Sequence, residues 1–297
     1  MGLPLAVVAI STSGILIRLT ASPPLVTAAN RLLLAALILL AIALIWQRQD
    51  LRSIDRRRLL LIGASGLLLG LHLALWTTSL FWTSVASAVL LADTHPVLVA
   101  LAARAFLRER TGLGVWAGIG LTLAGSAIIG AGDLGEGARA LAGDAMALGA
   151  SATFAGYLVI GRSVRPGLGL AAYTGLVYGA ASIALMAAAS ASGASLTEFD
   201  GKEFALWTAL VLVPTLGGHT VFNWTLRYVP VAVVGVAVLG EPVVTTVLAA
   251  LLLGEPPKQT AILGGAVIMA GIYVALRAQS PTPAGGGGQT GSRPDPK

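Results

Sequence analysis

Two apolar stretches of the sequence carry ionisable side chains directly before a proline. In LLADTHPVLVAL, Asp93 and His95 precede Pro96, and in a later stretch Glu241 precedes Pro242. Ionisable groups inside an apolar span are costly and commonly bind substrates, ions or protons. A proline removes a backbone hydrogen bond, and the freed carbonyl groups can line a cavity. The pattern predicts that the three ionisable groups line a cavity at two helix breaks. The alternative is that each proline only kinks its helix and a neighbour satisfies each polar group.

Rings and polar groups recur on single faces of other apolar stretches. His72 and Trp76 have the spacing of one helical face, and so do His219 and Asn223. A space lined in this way suits an amphipathic solute with an apolar side chain, although a single aromatic residue in a span more often serves packing. The predicted cavity set is His72, Trp76, Asp93, His95, Phe154, Tyr157, Tyr178, His219, Asn223 and Glu241.

Composition indicates the environment of these residues. The 297 residues are 56% hydrophobic and 11% charged, whereas soluble domains have about 25% charged residues. The chain contains no cysteine, which excludes disulfides, thiolate metal sites and cysteine nucleophiles. The predicted fold is an all-α polytopic membrane protein with ten transmembrane helices. The predicted spans are 3–20, 27–46, 59–80, 84–107, 112–130, 141–161, 170–190, 204–226, 231–253 and 259–277.

Basic residues are distributed unevenly between the two ends of these spans. If the N-terminus is cytoplasmic, fourteen Lys and Arg residues fall on the inner side and four on the outer side. This bias follows the positive-inside rule. Both termini are therefore predicted to be cytoplasmic in a bacterial inner membrane, with the loops 131–140 and 191–203 outside. The Gly- and Pro-rich tail 280–297 is predicted to be disordered.

The chain aligns with itself at an offset of 146 residues. HPVLVALAARAFLRE then falls on EPVVTTVLAALLLGE, and further on Gly118 falls on Gly264 and Gly125 on Gly271. Two halves of five spans each follow. Because five is odd, the second half must enter the membrane from the opposite side, which makes an inverted-topology repeat around a central cavity. The predicted units are a first five-helix repeat, 1–138, a second inverted repeat, 139–279, and the tail.

The doubled pattern P-x12-E-x8-G-x6-G, together with PPLVTAANR at the start of the second span, resembles the drug/metabolite transporter superfamily in its ten-span EamA-type branch. The resemblance covers residues 3–277, and the aromatic amino-acid exporters look closest. It implies a transporter, not an enzyme, that exports small amphipathic metabolites, with amino acids prominent, by alternating access. The expected partners are a small-molecule substrate and the lipid bilayer, with no nucleic acid, no cofactor and no metal. A monomer is compatible with the sequence.

Two other functions stay open. One is multidrug export of lipophilic cations, with Glu241 and Asp93 as counter-charges. The other is an intramembrane serine protease, suggested by GASG and HTVFN, which requires Ser65 and His219 to approach each other. Sugar-phosphate substrates would need cationic cavity residues, and only Arg31 falls well inside a span. Arg31 is predicted to form a structural ion pair with a carboxylate inside the bundle.

Overall fold

The structure is a computed structural model that describes residues 2–98, 101, 112–165, 167–196, 199–221 and 240–279. These residues form helices and short connections and contain no strand. A short helix, Arg48–Arg52, links the second and third helices, and a 3-10 turn, Leu134–Glu136, follows the fifth. The helices are α1 (Gly2–Arg18), α2 (Pro24–Trp46), α3 (Arg56–Ser79), α4 (Val85–Ala92), α5 (Leu113–Asp133), α6 (Ala138–Val164), α7 (Leu170–Ala191), α8 (Gly201–Leu210), α9 (Gly240–Leu252) and α10 (Gln259–Gln279).

Length and polarity fit these helices to a bilayer. Within the described residues, α2, α3, α5, α6 and α7 are long and apolar enough to cross a membrane, and α1, α4, α9 and α10 contain shorter apolar helices. Large aliphatic side chains such as Leu44, Ile45 and Leu251 point outwards, with more than half of each side chain exposed. Such a surface would be unfavourable in water and is favourable against lipid. The predicted all-α polytopic membrane fold is confirmed.

Local signals set several helix starts. Asp55 accepts a hydrogen bond from the Arg58 backbone N–H at 2.7 Å and so caps α3. Ser84 caps α4 in the same way, accepting from the Ser87 N–H at 3.0 Å. Pro24 opens α2, at a position where its missing N–H has no helical partner to lose. These local signals set the first residues of α2, α3 and α4.

The fourth span is interrupted just before Pro96. α4 ends at Ala92, a turn follows at Asp93 and Thr94, and helical backbone resumes at His95. The Thr94 hydroxyl bonds the Leu91 carbonyl oxygen and Ser151 on α6, each at 2.8 Å, which holds the turn. Pro96 lies in the first turn of the resumed helix. Because it has no N–H for the Ala92 carbonyl and its ring would clash with that carbonyl, it disfavours a helix that continues through residues 92–96. The span 84–107, for which the sequence predicts a helix break at Pro96, is thus interrupted at Asp93 and Thr94, and residues 99–100 and 102–111 lie outside the described part.

The eighth span changes its helical geometry. α8 continues from Val211 to Thr220 as a π-helix that contains Pro214. Two threonine hydroxyls bond carbonyl oxygens five residues earlier, Thr215 to Leu210 at 2.7 Å and Thr220 to Thr215 at 3.1 Å. Such stretches occur often at functional sites, because they shift the side chains that follow them around the helix. The predicted span 204–226 therefore begins at Gly201 and is not a uniform α-helix.

The crossing of α5 and α10 establishes how the two halves are related. A Cβ on Gly118 would lie 2.5 Å from the Gly271 carbonyl oxygen, and one on Gly264 would lie 2.6 Å from that of Gly125. Only glycine permits this approach, in the manner of small residues at membrane helix crossings. The repeat alignment pairs Gly118 with Gly264 and Gly125 with Gly271, so the two contacts are equivalent to each other. Gly118 contacts Gly271, and Gly125, later in α5, contacts Gly264, earlier in α10. The equivalent helices α5 and α10 therefore run antiparallel.

Other helix pairs repeat the same relation. α3 packs on α6, and their equivalents α8 and α1 pack together; α4 packs on α6, and α9 packs on α1. α2 and α7, which are also equivalent, pack side by side. These contacts between the halves thus have counterparts with the halves exchanged. This arrangement is the predicted inverted repeat, and it brings α1, α3, α4, α6 and α9 together at the centre.

Candidate functional site

Five rings from three spans form one continuous group, which we call the ring cluster: His72 and Trp76 on α3, His95 beyond α4, and Phe154 and Tyr157 on α6. Phe154 lies at its middle, with ring centroids 4.7 Å from His72, 4.8 Å from His95 and 5.4 Å from Tyr157. His72 and Trp76 stack with planes 6° apart. These distances are those of favourable aromatic contacts. All five residues belong to the set that the sequence predicts to line the cavity.

Hydrogen bonds to main-chain carbonyl groups orient both histidines. His72 Nδ1 donates to the Ala150 carbonyl oxygen on α6 at 2.9 Å. His95 Nδ1 donates to the Ala92 carbonyl oxygen at 3.4 Å. A proline at position 96 has no N–H for that carbonyl, so the imidazole takes the place of the missing donor. In each neutral ring the hydrogen is then on Nδ1, and the Nε2 atom is an acceptor.

Arg31 has different partners from the carboxylate that the sequence predicts. It lies on α2 with 2% of its surface exposed, and its Nε donates to the Thr215 hydroxyl at 2.8 Å. One terminal nitrogen donates to the Ser13 hydroxyl at 3.0 Å. Among the described residues, no carboxylate lies within ion-pair distance of Arg31. The predicted direct ion pair is therefore corrected to hydrogen bonds that join α2 to α1 and to the π-helical part of α8.

A group of charges, which we call the charged set, surrounds these hydrogen bonds: Arg31, Asp93 and Glu241. Glu241 interacts electrostatically with both an acid, Asp93, and a base, Arg31. Arg31 also interacts with Tyr178 on α7. One Asp93 carboxylate oxygen is buried and has no hydrogen-bond partner among the described residues. A buried acid in this position needs a proton or a cationic ligand.

The charged set and the ring cluster adjoin each other. His72 interacts electrostatically with Arg31, and Tyr157 with Tyr178. His72, Asp93, His95 and Glu241 lie inside the bundle, and each keeps some accessible surface. Trp76, Tyr157 and Tyr178 are buried behind them. The arrangement can hold an apolar ring at one side and a charged group at the other.

Other residues of the predicted site lie outside the ring cluster and the charged set. Asn223 lies outside the described residues, and of His219 only the backbone, in the π-helical stretch, is described. Pro242 is buried in the first described turn of α9, next to Glu241. The tail 280–297 also lies outside the described residues. Ser65, of the proposed protease pair, lies 3.1 Å from the Tyr173 hydroxyl, within hydrogen-bonding distance.

Sequence reasoning missed a second set of polar residues near the loop ends. Asp133, at the end of α5, accepts hydrogen bonds from Ser87 at 2.8 Å and from Lys258 at 2.6 Å. Asp144 on α6 is 5% exposed. A signal was available, because Asp144 falls inside the predicted span 141–161, where an acid is unusual.

The chain is similar in sequence to a protein family and in fold to solved structures. A sequence model of the EamA-like transporter family matches residues 2–131 and, separately, residues 141–277. Fifteen chains of solved structures match as well. One of them, a crystal structure whose description names no function, aligns with a TM-score of 0.62 and 21% identity over 93% of this chain and 96% of its own. At that identity the likeness shows the fold alone. No curated protein matches.

Proposed function

The chain belongs to the EamA-like transporter family, and from this premise we propose that it exports amino acids with aromatic or bulky apolar side chains by alternating access. The observation that carries the proposal is that the ring cluster and the charged set adjoin each other: Asp93 and His95 are two residues apart, and His72 interacts electrostatically with Arg31. An amphipathic solute needs both surfaces at once. A ten-helix inverted repeat supplies such a space at the interface between its halves.

The charges suit the two ends of an amino-acid zwitterion. The Arg31 guanidinium can attract the α-carboxylate, and the Glu241 and Asp93 carboxyl groups can accept hydrogen bonds from the α-ammonium group. The ring of Phe154, which keeps accessible surface, offers edge and face contacts to an apolar or aromatic side chain, and the buried rings of Trp76 and Tyr157 support His72 and Phe154 from behind. Because both signs of charge are present, the site discriminates between a zwitterion and a solute of one sign.

Lipophilic cations are the second candidate, because the site contains two acids. Arg31 counts against them, since a buried guanidinium that interacts with Glu241 lowers the attraction for a cation. Carboxylates without an amino group would in turn be repelled by Asp93. The zwitterion is therefore preferred over either singly charged class.

Transport by reconstituted protein tests the proposal. In proteoliposomes, radiolabelled phenylalanine, tryptophan and leucine should be transported well above protein-free vesicles, and glutamate, lysine and a cationic dye poorly. Trp76→Ala or Tyr157→Ala should lower the rate for phenylalanine roughly tenfold, the equivalent of a lost aromatic contact of about 1.4 kcal/mol. Trp46→Ala is the matched control, because Trp46 is 75% exposed at the end of α2. Equal effects at positions 46 and 76, or transport of the dye alone, would contradict the proposal.

For the orientation, we propose an inner-membrane protein with both termini in the cytoplasm, supported by the bias of basic residues towards one side. Ser192 and Ser53 are both exposed, at opposite ends of the bundle. In whole cells, an impermeant thiol reagent should label Ser192→Cys and leave Ser53→Cys unlabelled. Since the chain contains no cysteine, the measurement has no background within the protein. The reverse labelling pattern would overturn the orientation.

A further inference from the structure

A second set of ionisable groups lies at the end of the bundle that the charge bias assigns to the outside, the outer end. We call it the outer acid cluster: Asp133 at the end of α5, Glu136 in the turn after it, Asp144 on α6, and Lys258 before α10. Lys258 Nζ lies 2.6 Å from an Asp133 oxygen and 2.9 Å from a Glu136 oxygen. Asp133 is 2% exposed and also accepts hydrogen bonds from Ser87 at 2.8 Å and from Thr83 at 3.4 Å.

Asp144 is the unusual member of the outer acid cluster. It is 5% exposed, and neither carboxylate oxygen has a hydrogen-bond partner among the described residues. The polar groups nearest to it are the Thr83 hydroxyl and the Asp133 carboxylate, and Lys258 interacts with it over a longer range. An ionised carboxylate without hydrogen bonds is very unfavourable in such a place. The geometry therefore leaves Asp144 in need of a ligand.

The charges around Asp144 come from each element that packs against α6. The loop between α3 and α4 contributes Thr83, which is uncharged, and α5 with its turn contributes Asp133 and Glu136. On α6 itself, the Arg139 guanidinium lies over the Trp82 ring, 5.5 Å from its centroid. Within the described residues, Lys258 is thus the cation of the outer acid cluster, and it already forms ion pairs with Asp133 and Glu136.

Lys258 is not the group that titrates. Burial acts to lower the pKa of Lys258, but its hydrogen bonds to Asp133 and Glu136 and their charges outweigh burial and raise that pKa above its ordinary value. The ammonium group therefore stays charged across the physiological range. Lys258, Ser87 and Thr83 are partners of Asp133, whereas an ionised Asp144 would lie beside that carboxylate with no hydrogen bond of its own, which favours a proton on Asp144.

We propose that Asp144 binds a proton while the outer end is closed, and releases it to the external water when the outer end opens. In the closed state the proton gives Asp144 a neutral form and lets it donate a hydrogen bond to Asp133. In the open state water solvates both carboxylates, and the proton is no longer required. The outer acid cluster is thus a proton-binding site that makes opening depend on external pH.

The structure has the outer end closed by contacts between the halves. Arg18 at the end of α1 forms an ion pair with Glu255 in the connection between α9 and α10. Glu203, at the start of α8, accepts hydrogen bonds from the Ala21 N–H at 2.7 Å and from the Ser22 hydroxyl at 2.6 Å. Lys258 belongs to the same connection as Glu255. Opening must move this connection, and with it the cation that balances Asp133.

The direction of the pH effect follows from the proton balance. Because the closed state binds one more proton than the open state, low external pH favours the closed state and high external pH favours the open state. Replacing Asp144 with asparagine removes the titrating group and keeps a neutral side chain. Replacing Lys258 with methionine removes the cation that acts on Asp144, so Asp144 holds its proton more strongly beside the Asp133 carboxylate and opening requires a higher pH.

A cysteine reporter beneath the outer contacts can measure opening directly. A Cβ on Gly14 of α1 would lie 3.6 Å from Val85, 3.7 Å from Leu80 and 3.7 Å from Thr245, in ordinary contact with spans of both halves. Gly14→Cys is thus tolerated, and an impermeant thiol reagent can reach it from outside only when those spans separate. Ser192→Cys, on an exposed loop, corrects for the intrinsic pH dependence of the thiol reaction. The measurement needs no transport substrate, so its result is independent of the proposed function.

The labelling rate of the Gly14→Cys protein, divided by that of the Ser192→Cys protein, should rise at least fivefold between external pH 5.5 and 8.5. With Asp144→Asn added to both reporters the ratio should stay low and flat, and with Lys258→Met the midpoint should move to higher pH. Variants are compared after size-exclusion chromatography confirms equal amounts of folded protein. A flat ratio in the parent, or an unchanged pH dependence in either the Asp144→Asn or the Lys258→Met protein, would overturn the proposal. A ratio that follows external sodium at constant pH would overturn it as well, since the ligand would then be a metal cation.

Discussion

Replacing Arg31 with methionine is expected to reduce amino-acid transport at least a hundredfold and to destabilise the folded protein by about 1–3 kcal/mol. The guanidinium is buried, bonds Thr215 and Ser13, and is the base that interacts with Glu241. Methionine keeps much of the side-chain volume but removes the charge and both hydrogen bonds. Initial rates in proteoliposomes and thermal stability in detergent measure the two effects. Wild-type transport by the Arg31→Met protein would contradict a role at the site.

The double variant Arg31→Met/Glu241→Gln separates two explanations of that loss. If Arg31 only neutralises Glu241, removing both charges should restore stability and transport together. If Arg31 also binds the substrate carboxylate, as we propose, the double variant should regain stability and remain inactive. Arg31→Lys is the matched charge control. It keeps the positive charge but cannot reproduce the fork of the guanidinium, so partial activity is expected. A double-mutant cycle on the stabilities gives the coupling between the two residues.

Glu241→Gln is expected to raise the apparent KM for phenylalanine by about 30-fold, the equivalent of about 2 kcal/mol from a lost charged hydrogen bond. Glutamine has nearly the same shape, so the folded amount should not change. The defect should be specific for the amino group. Inhibition of transport by 3-phenylpropionate, which lacks the ammonium group, should not weaken in the variant. If that inhibition weakens as much as the affinity for phenylalanine, Glu241 does not contact the ammonium group.

Proton coupling at Glu241 predicts another signature. A glutamine cannot carry a proton, so a coupling role would abolish uphill transport and its pH dependence but leave downhill exchange partly intact. Measuring exchange and uphill transport on the same vesicles distinguishes this result from a change in affinity. His95→Ala is informative in parallel, because His95 contacts Phe154 within the ring cluster. It should weaken binding without loss of the pH dependence.

Much of the fold follows from local pattern and simple counting. Apolar segments of span length, each bounded by charged or turn-forming residues, predict the helices, because a bilayer leaves few other ways to satisfy the backbone. The paired glycines at 118 and 264 and at 125 and 271 predict equivalence of the halves, and an odd number of spans in each half requires inversion. Their close approach across α5 and α10 follows from the same residues.

Details within the spans did not follow from pattern. Pro96 predicts a break in its span but not the form of the turn, which lies at Asp93 and Thr94, where the Thr94 hydroxyl bonds Ser151 on another helix. The π-helical stretch after Leu210 likewise has no periodic signature. A local sequence pattern indicates where a regular helix is disfavoured. Hydrogen bonds to other helices determine which residues depart from it.

By itself, the sequence determined the bilayer environment, the helices, the inverted repeat and the residue types at the centre. Composition, hydrophobic segments and repeat spacing can all be read along the chain. The tertiary structure alone decided the partners. Arg31 meets Ser13 and Thr215, which are 18 and 184 residues away, in place of the predicted carboxylate. Asp144 meets Asp133 and Lys258 only because three separate elements converge at the outer end. A buried charged side chain interacts with the polar groups that helix packing places next to it. Which groups these are depends on how helices of the two halves cross, and the sequence of one span does not contain that information.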